Sequence, residues 1–304
     1  MLSSSISLAA TKDIGGSSKQ QDFVRTSAFQ AVLCDGHGPK GHDIAEAVCE
    51  FQMRTGGDPA SLFQKTDEYL REHYGPDKVS GIGGTTCSNL TFDPSTRVMT
   101  VASIGDSSVR YWDTGGEGVE ASVNHSPSTY SEYVRVQEAG GVFSFHDISE
   151  RYSKGKQPIF VDGKYNKAGG YYFKNCKRDE YSVYFENPLS EEEELYGPFT
   201  KRSRLAVTRA FADWPLVPYG LIAEPSVNIV PPPSEGTRAV VMASDGLWDV
   251  MFDEAIGAIV RRPEFLLSRD AEAASQELMR VALMAGRSLF GACSDNVSIV
   301  VAYV

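Results

Sequence analysis

Helical patterns in this chain come in adjacent pairs and extended patterns come in runs, and this grouping restricts the fold more than any single motif. Residues 40–54 place Ile44, Val48 and Phe51 at helical spacing, and residues 60–74 follow with Leu62, Thr66, Tyr69, Leu70 and His73. A second pair comes late, at about 253–261 and 269–289, the latter long and rich in alanine. Short apolar or alternating runs lie around these pairs. Residues 22–34 read as strand entering a turn at Asp35-Gly-His-Gly-Pro, while 85–92 and 97–104, split by Asp93-Pro-Ser-Thr, give a hairpin signal. Further strands are expected at 109–112, 205–208, 239–243 and 297–304, and one lone helix at 129–139, stopped by Gly140-Gly141. Strands in runs with helices in pairs argue against an alternating βαβ order. They predict an α+β fold of antiparallel sheets with helices packed on them.

A chain of 304 residues, 41% hydrophobic and 23% charged, can bury a large core without disulfide staples. One domain over 1–304 is expected, interrupted at 142–203 by a segment of different character. The formal net charge of −11 repels nucleic-acid phosphates, so no nucleic-acid partner is expected. The same repulsion acts on phosphorylated substrates, and any phosphate-handling site must import local positive charge. Five cysteines without a CxxC pair argue against a disulfide framework or a zinc site. Cys34, Cys49 and Cys293 sit in apolar runs and read as buried thiols of a reducing compartment. The N-terminus lacks a basic n-region and a long apolar core, and no apolar run approaches a membrane span. A soluble monomer, cytoplasmic or nuclear and without a membrane partner, is the expectation. Pro231–Pro233 reads as a rigid connector before a strand, and no internal repeat is present.

Three short acidic turns carry the chemistry: Asp35-Gly-His-Gly after Val32-Leu-Cys, Asp245-Gly-Leu-Trp-Asp after Met242-Ala-Ser, and Asp295-Asn before Val297-Ser-Ile. Each aspartate adjoins an apolar strand, so one sheet edge can collect all three. Clusters of oxygen donors suit hard cations such as Mg²⁺ and Mn²⁺. A single Asp-Gly or Ser-Asp pair is common in ordinary turns and would mean little alone.

Taken with their flanks, these turns resemble the metal-dependent protein phosphatases of type 2C, the PPM family. Asp35-Gly-His-Gly matches its DGHG turn, Gly84-Thr-Thr its strand entry and Ile104-Gly-Asp106-Ser its GDS turn. Glu132, Arg135 and Ala139-Gly-Gly match the helix ending in AGG. Leu205-Ala-Val-Thr-Arg-Ala and Ala223-Glu-Pro follow in order, then Ala243-Ser-Asp-Gly-Leu-Trp-Asp-Val and Ser294-Asp-Asn. Motifs in the right order over nearly the whole chain are far more specific than DGHG alone. The resemblance implies a four-layer α-β-β-α sandwich, two antiparallel sheets flanked by paired helices. It also implies two Mn²⁺ or Mg²⁺ ions, with Asp35 bridging both, the Gly36 carbonyl on one, and Asp245 and Asp295 on the other. Asp106 with Asp245 would hold a weaker third ion.

The implied reaction is hydrolysis of phosphoserine and phosphothreonine in proteins by in-line attack of a water bridging the metals. His37, beside Asp35, is the candidate general acid for the leaving alkoxide. By itself it would read as a turn histidine bonding backbone. His125, in Asn124-His-Ser-Pro, reads as structural, His42 as solvent-facing, His73 as helical, and His146 lies in the insertion. An aspartyl phosphotransferase would need a DxDx[TV] loop, which is absent.

The sequence departs from the family near its N-terminus. The family places an Arg four residues before a Glu-Asp pair; here those positions hold Ser17, Gln21 and Asp22. Asp22 and Gln21 are therefore weak or indirect ligands, and the second metal is expected to bind less tightly. Lys19 and Arg25 are the substitute phosphate contacts to test. A weakly active or inactive phosphatase-like scaffold that binds partners is the alternative function. The 142–203 segment holds 13 of the chain's 32 Phe, Tyr and Trp, too aromatic for a disordered linker. Tyr171-Tyr-Phe173 and Tyr181–Phe185 suggest short strands, and Lys174, Lys177 and Arg178 suggest a docking charge for acidic substrates, beside the place where the family has a mobile flap.

Overall fold

The computed structural model describes residues 6–75, 83–145, 204–290 and 294–304, together with short strands between 160 and 186. In chain order the strands of the body are β1 (Ser7–Asp13), β2 (Asp22–Thr26), β3 (Gln30–His37), β4 (Gly84–Thr85), β5 (Cys87–Phe92), β6 (Met99–Ile104), β7 (Val109–Trp112) and β8 (Val119–Glu120). The helices α1 (Gly41–Thr55) and α2 (Pro59–Tyr74) lie between β3 and β4, and α3 (Tyr130–Glu138) follows β8. Within the insertion run β9 (Val142–Phe145), β10 (Phe160–Val161), β11 (Lys164–Tyr165), β12 (Phe173–Asn175), β13 (Glu180–Tyr181) and β14 (Val183–Glu186). After it come β15 (Arg204–Leu205), β16 (Phe211–Ala212), a 3-10 turn at Trp214–Tyr219, β17 (Ser226–Val230) and β18 (Ala239–Ala243). The chain then forms α4 (Asp245–Trp248), α5 (Asp253–Val260), α6 (Pro263–Leu266), α7 (Ala271–Phe290) and β19 (Val297–Tyr303).

Two antiparallel sheets form the body. One has the order β1-β19-β18-β7-β8; the other runs β16-β4-β3-β5-β6-β17, with β2 also paired to β3. Period-two alternation sends neighbouring residues to opposite faces. Ala31, Leu33, Val240, Met242, Val300 and Ala302 meet between the sheets, in one buried cluster. Their neighbours Val32 and Cys34 pack outward against Ile44, Val48, Phe63 and Leu70 of α1 and α2. On the other side Val241, Ala243, Ile299 and Tyr303 pack against Leu247, Ile256, Val260, Ala274 and Leu278 from α4, α5 and α7. This is the expected four-layer α-β-β-α sandwich. Its central strands, such as β18 and β19, are buried on both faces, which is why they read as continuous apolar runs.

Several expectations needed adjusting. The stretch 22–34 is a hairpin of two strands, because Ser27 to Phe29 turns the chain between them. Strand β1, not foreseen, lies antiparallel along β19. Of the 205–208 run only Leu205 is strand, together with Arg204 in β15. On α2 the buried positions are Leu62, Phe63, Thr66 and Leu70, and His73 is exposed. Within the insertion, β14 joins β9 and β15 in a three-stranded sheet, and β12 pairs with β13 as a hairpin. The remaining aromatic residues of this segment, His146, Lys177 and Arg178 lie outside the described residues.

Candidate functional site

Strand geometry alone gathers the acidic turns at one edge of the sandwich. Asp22 opens β2 and is the register partner of Asp35 near the end of β3. Asp106 lies two residues beyond β6. Asp245 begins α4, two residues beyond β18, and Asp295 lies two residues before β19. The β18–β19 register pairs Ala243 with Ile299, and the Ser244 N–H continues the ladder to the Ser298 carbonyl at 3.1 Å, so the last two turns adjoin. Gly246 permits that approach: a Cβ there would stand 2.0 Å from the Asn296 carbonyl oxygen.

A cleft of about 310 Å³ opens at this edge, lined by Gln21, Asp35, Gly36, His37, Gly38, Thr86, Asp106, Leu205 to Val207, Asp245 and Asp295. Every candidate site residue except Asp22 lines it. Asp22 sits behind, 1% exposed, and accepts the Ser244 hydroxyl at 2.8 Å on one oxygen. Its other oxygen is buried without a hydrogen-bond partner. Burial, and next the charges of Asp245 and Asp295, push Asp22 up to about 7, against the pull of the Ser244 and Ser298 hydroxyls. Asp35 is driven well above the carboxylate range, by burial first and then by Asp22, Asp245, Asp295 and Asp106. Such a cluster is electrostatically frustrated. Among the described residues no group of three or more His, Cys, Asp or Glu is arranged to hold a metal ion as it stands. Hard oxygen donors, mutual repulsion and one orphaned buried carboxylate oxygen nonetheless fit a hard divalent cation, whose charge would reverse this pKa logic.

The neighbouring contacts separate the candidate residues by role. Gln21 is held by three hydrogen bonds: its N–H donates to Asn296 Oδ1 at 2.7 Å, its carbonyl accepts the Gly36 N–H at 3.2 Å, and its amide Nε2 donates to the Gly38 carbonyl at 2.7 Å. It thereby ties the Gly36-His37-Gly38 turn, work that a carboxylate could not do at the Gly38 carbonyl. Arg25 does not line the cleft; it pairs with Glu50 at 2.8 Å and stacks on Phe23. Lys19 does not line the cleft, and among the described residues neither does any other Lys or Arg. Contrary to expectation His42 is half-buried, with its ring edge-to-face on Phe23. His125 is buried and structural as expected, with Nε2 2.8 Å from the Ser226 hydroxyl oxygen, and burial holds it down at about 4.

The protein phosphatase 2C family model matches residues 58–288. The chain belongs to the protein phosphatase 2C family. It is 26% identical over 266 residues to probable protein phosphatase 2C 11 of Arabidopsis thaliana, covering 87% of this chain and 51% of that protein. To probable protein phosphatase 2C 64 of Oryza sativa subsp. japonica it is 28% identical over 263 residues, covering 76% and 50%. The chain thus spans about half the length of these curated relatives. Solved structures share the fold. The serine-threonine phosphatase 2C from Toxoplasma gondii superposes with a TM-score of 0.69 at 17% identity, over 99% of this chain and 95% of that one. The catalytic domain of the serine threonine protein phosphatase PstP, solved in complex with 2 manganese ions, gives 0.55 at 18%, over 98% and 97%.

Within this family frame, Thr86, Ser107, Ser244 and Asn296 lie inside the matched motifs but carry no role there, and Asp213 lies outside them. Thr86 lines it, takes the Asp35 N–H on its hydroxyl at 3.2 Å and shares a 2.9 Å hydrogen bond with Ser107. Asn296 holds the loop before β2 through Ile14 and Lys19 carbonyls, and Ser244 anchors Asp22. Asp213 stands 2.5 Å from His37 Nε2. Its only sequence signal was a position just after the Leu205–Ala210 motif.

Proposed function

We propose that this chain is a divalent-metal-dependent protein serine/threonine phosphatase acting on phosphoserine and phosphothreonine proteins. The observation that carries the reading is the frustrated carboxylate cleft, where Asp35 is driven far above its usual range by burial and four neighbouring aspartates. Asp35, Asp245, Asp295 and the Gly36 carbonyl would hold two Mn²⁺ or Mg²⁺ ions, with Asp106 and Asp245 offering a third position. Bound there, such ions would supply positive charge for the phosphate and lower the pKa of an attacking water.

The chain's own groups do the rest. Buried Asp22 backs the cluster, and Gln21 fixes the turn that presents His37. Leu205 to Val207 wall one side and limit water access. His37 delivers a proton to the Ser or Thr oxygen as it leaves. The inserted 142–203 segment governs which phosphoproteins are accepted, and the protein acts as a cytoplasmic or nuclear monomer. No helix among the described residues is long and apolar enough to cross a membrane.

Hydrolysis of p-nitrophenyl phosphate with Mn²⁺, with and without chelator, tests this. Turnover that stops in EDTA and returns with Mn²⁺ or Mg²⁺ is expected, and undiminished hydrolysis in excess chelator would falsify the reading. The neutral Gln21 and the absence of Lys or Arg from the described cleft lining favour a second reading, a scaffold with little activity. Absence of turnover despite bound Mn²⁺ would select it.

A further inference from the structure

We infer that Asp213 is a positioning residue that fixes the imidazole of His37 in the cleft; the inference rests on the phosphatase reading and His37's role in it. Across the sheet, β16, β4 and β3 lie side by side, and the registers pair Ala212 with Gly84 and Gly84 with His37. Asp213 follows at once and reaches over β4. Its carboxylate is 2% exposed, and Oδ2 lies 2.5 Å from His37 Nε2.

Three independent features bring the carboxylate there. Gly84 leaves the space open: a Cβ on it would sit 2.0 Å from Asp213 Oδ2. The backbone turns left-handed at both Ala212 (φ 62°) and Asp213 (φ 47°), a conformation that costs energy for residues bearing a Cβ. Finally, Asp213 is the N-cap residue of the Trp214–Tyr219 turn, yet its side chain makes no capping hydrogen bond. An aspartate at that position ordinarily takes an N–H of the first turn. Here the local use is forgone, and the carboxylate is directed at a histidine 176 residues away. A buried carboxylate needs a partner, so a purely structural ion pair is the competing explanation. That explanation does not account for the partner being the histidine of the cleft, 28% exposed in its side chain.

The consequence is orientational. With Nε2–H donated to Asp213, the proton position and the ring plane are set before any substrate arrives, and one edge of the ring is turned to the cleft. Orienting a catalytic imidazole through a buried carboxylate is a general device. The residue arrives on the same return segment that walls the cleft with Leu205 to Val207, so entry wall and histidine support are one element.

The test compares His37→Ala, Asp213→Ala, Asp213→Asn and the double alanine variant on two substrates. Expulsion of p-nitrophenolate needs little proton donation; expulsion of a threonine alkoxide from a phosphothreonine peptide needs it fully. His37→Ala should lower kcat on the peptide by about 100-fold or more, the range of general acid catalysis, and affect p-nitrophenyl phosphate far less. Asp213→Ala should repeat that split at smaller amplitude, about 10-fold on the peptide with KM unchanged, and the double variant should be no worse than His37→Ala. Asp213→Asn keeps an acceptor oxygen and tolerates the left-handed backbone, and should recover most of the peptide activity. Equal loss on both substrates, additivity with His37→Ala, or no loss in Asp213→Ala would overturn the assignment. Nitrogen-15 NMR of the metal-free protein decides the geometry separately from activity. The His37 proton should reside on Nε2 in the wild type and redistribute in Asp213→Ala; a wild-type proton on Nδ1 would overturn the inference by itself. If His37→Ala itself shows no substrate split, the general-acid reading fails while the NMR arm still judges Asp213.

Discussion

Two acidic sites in this molecule face opposite electrostatics. At the cleft, Asp22, Asp35, Asp106, Asp245 and Asp295 stand together; Asp22 is pushed up to about 7 and Asp35 well above the usual carboxylate range. On α3, Glu132 is 3% exposed yet held down at about 2. Burial pushes Glu132 up as well, but hydrogen bonds from Arg209, Arg135 and Thr208 outweigh it, with Arg209 Nη2 at 2.7 Å and Thr208 Oγ1 at 2.7 Å. The second group is complete without any further component and ties α3 to the segment that lines the cleft. The first is left unfinished, which a fold tolerates where function supplies the missing charge.

The sharpest way to break this contrast is at the cleft. Asp245→Asn or Asp295→Asn should reduce turnover by at least about 1,000-fold, about 4 kcal/mol of barrier, while the metal-free protein loses no stability or gains some as repulsion falls. Chelated samples compared by calorimetry, alongside Mn²⁺-dependent kinetics, check both halves; near wild-type kcat would mean that the cluster is not catalytic. Glu132→Ala should do the reverse, costing about 3–5 kcal/mol by stranding two guanidinium groups. Urea unfolding measures it, and a loss under about 1 kcal/mol would show that the pair is no structural anchor.

Acid–base behaviour separates the groups by sign. Asp22 binds its proton more tightly when folded, so in EDTA its contribution is present near pH 4 and is lost as pH rises toward 7. Glu132 binds its proton less tightly when folded, so its contribution is full above about pH 4.5 and is lost as pH falls toward 2. Asp22→Asn should flatten the first limb and Glu132→Gln the second; a single slope common to both variants would erase the contrast. The smallest effect is expected from Gln21→Glu. Losing the amide donor to Gly38 should cost about 1 kcal/mol without metal, whereas the added charge should lower the Mn²⁺ concentration for half-maximal activity. An unchanged melting temperature in EDTA would show that Gln21 does not hold the turn.

Much of this was readable in the sequence, for physical reasons that differ by region. Strands β7 and β18 were placed at the residues observed, because runs such as Ala239–Ala243 are buried on both faces. Helices α1 and α2 were found within a residue or two by their spacing. Strand β1 escaped because its residues are mostly half-buried and alternate weakly along β19. The aspartates of the cleft were legible because each follows or precedes an apolar strand. Asp213 was not, since its role depends on a strand of two residues and on Gly84 across from it. The role of Gln21 was half legible: the missing charge showed in the sequence, but the amide's hydrogen bond to Gly38 needed the folded turn.

The pairing of β1 with β19 bears on how the molecule would answer a mechanical load. The first and last rungs of that ladder are Ser7 with Tyr303 and Asp13 with Val297. Tension applied at residues 7 and 303 therefore pulls two antiparallel neighbours apart from the same end. The hydrogen bonds would be loaded one after another, like a zipper, not all together in shear. The ladder would peel from the end remote from Asp295, which lies two residues beyond the last rung. A weak pull would fray the sheet at that end and leave the aspartate edge assembled until six rungs of the seven had parted.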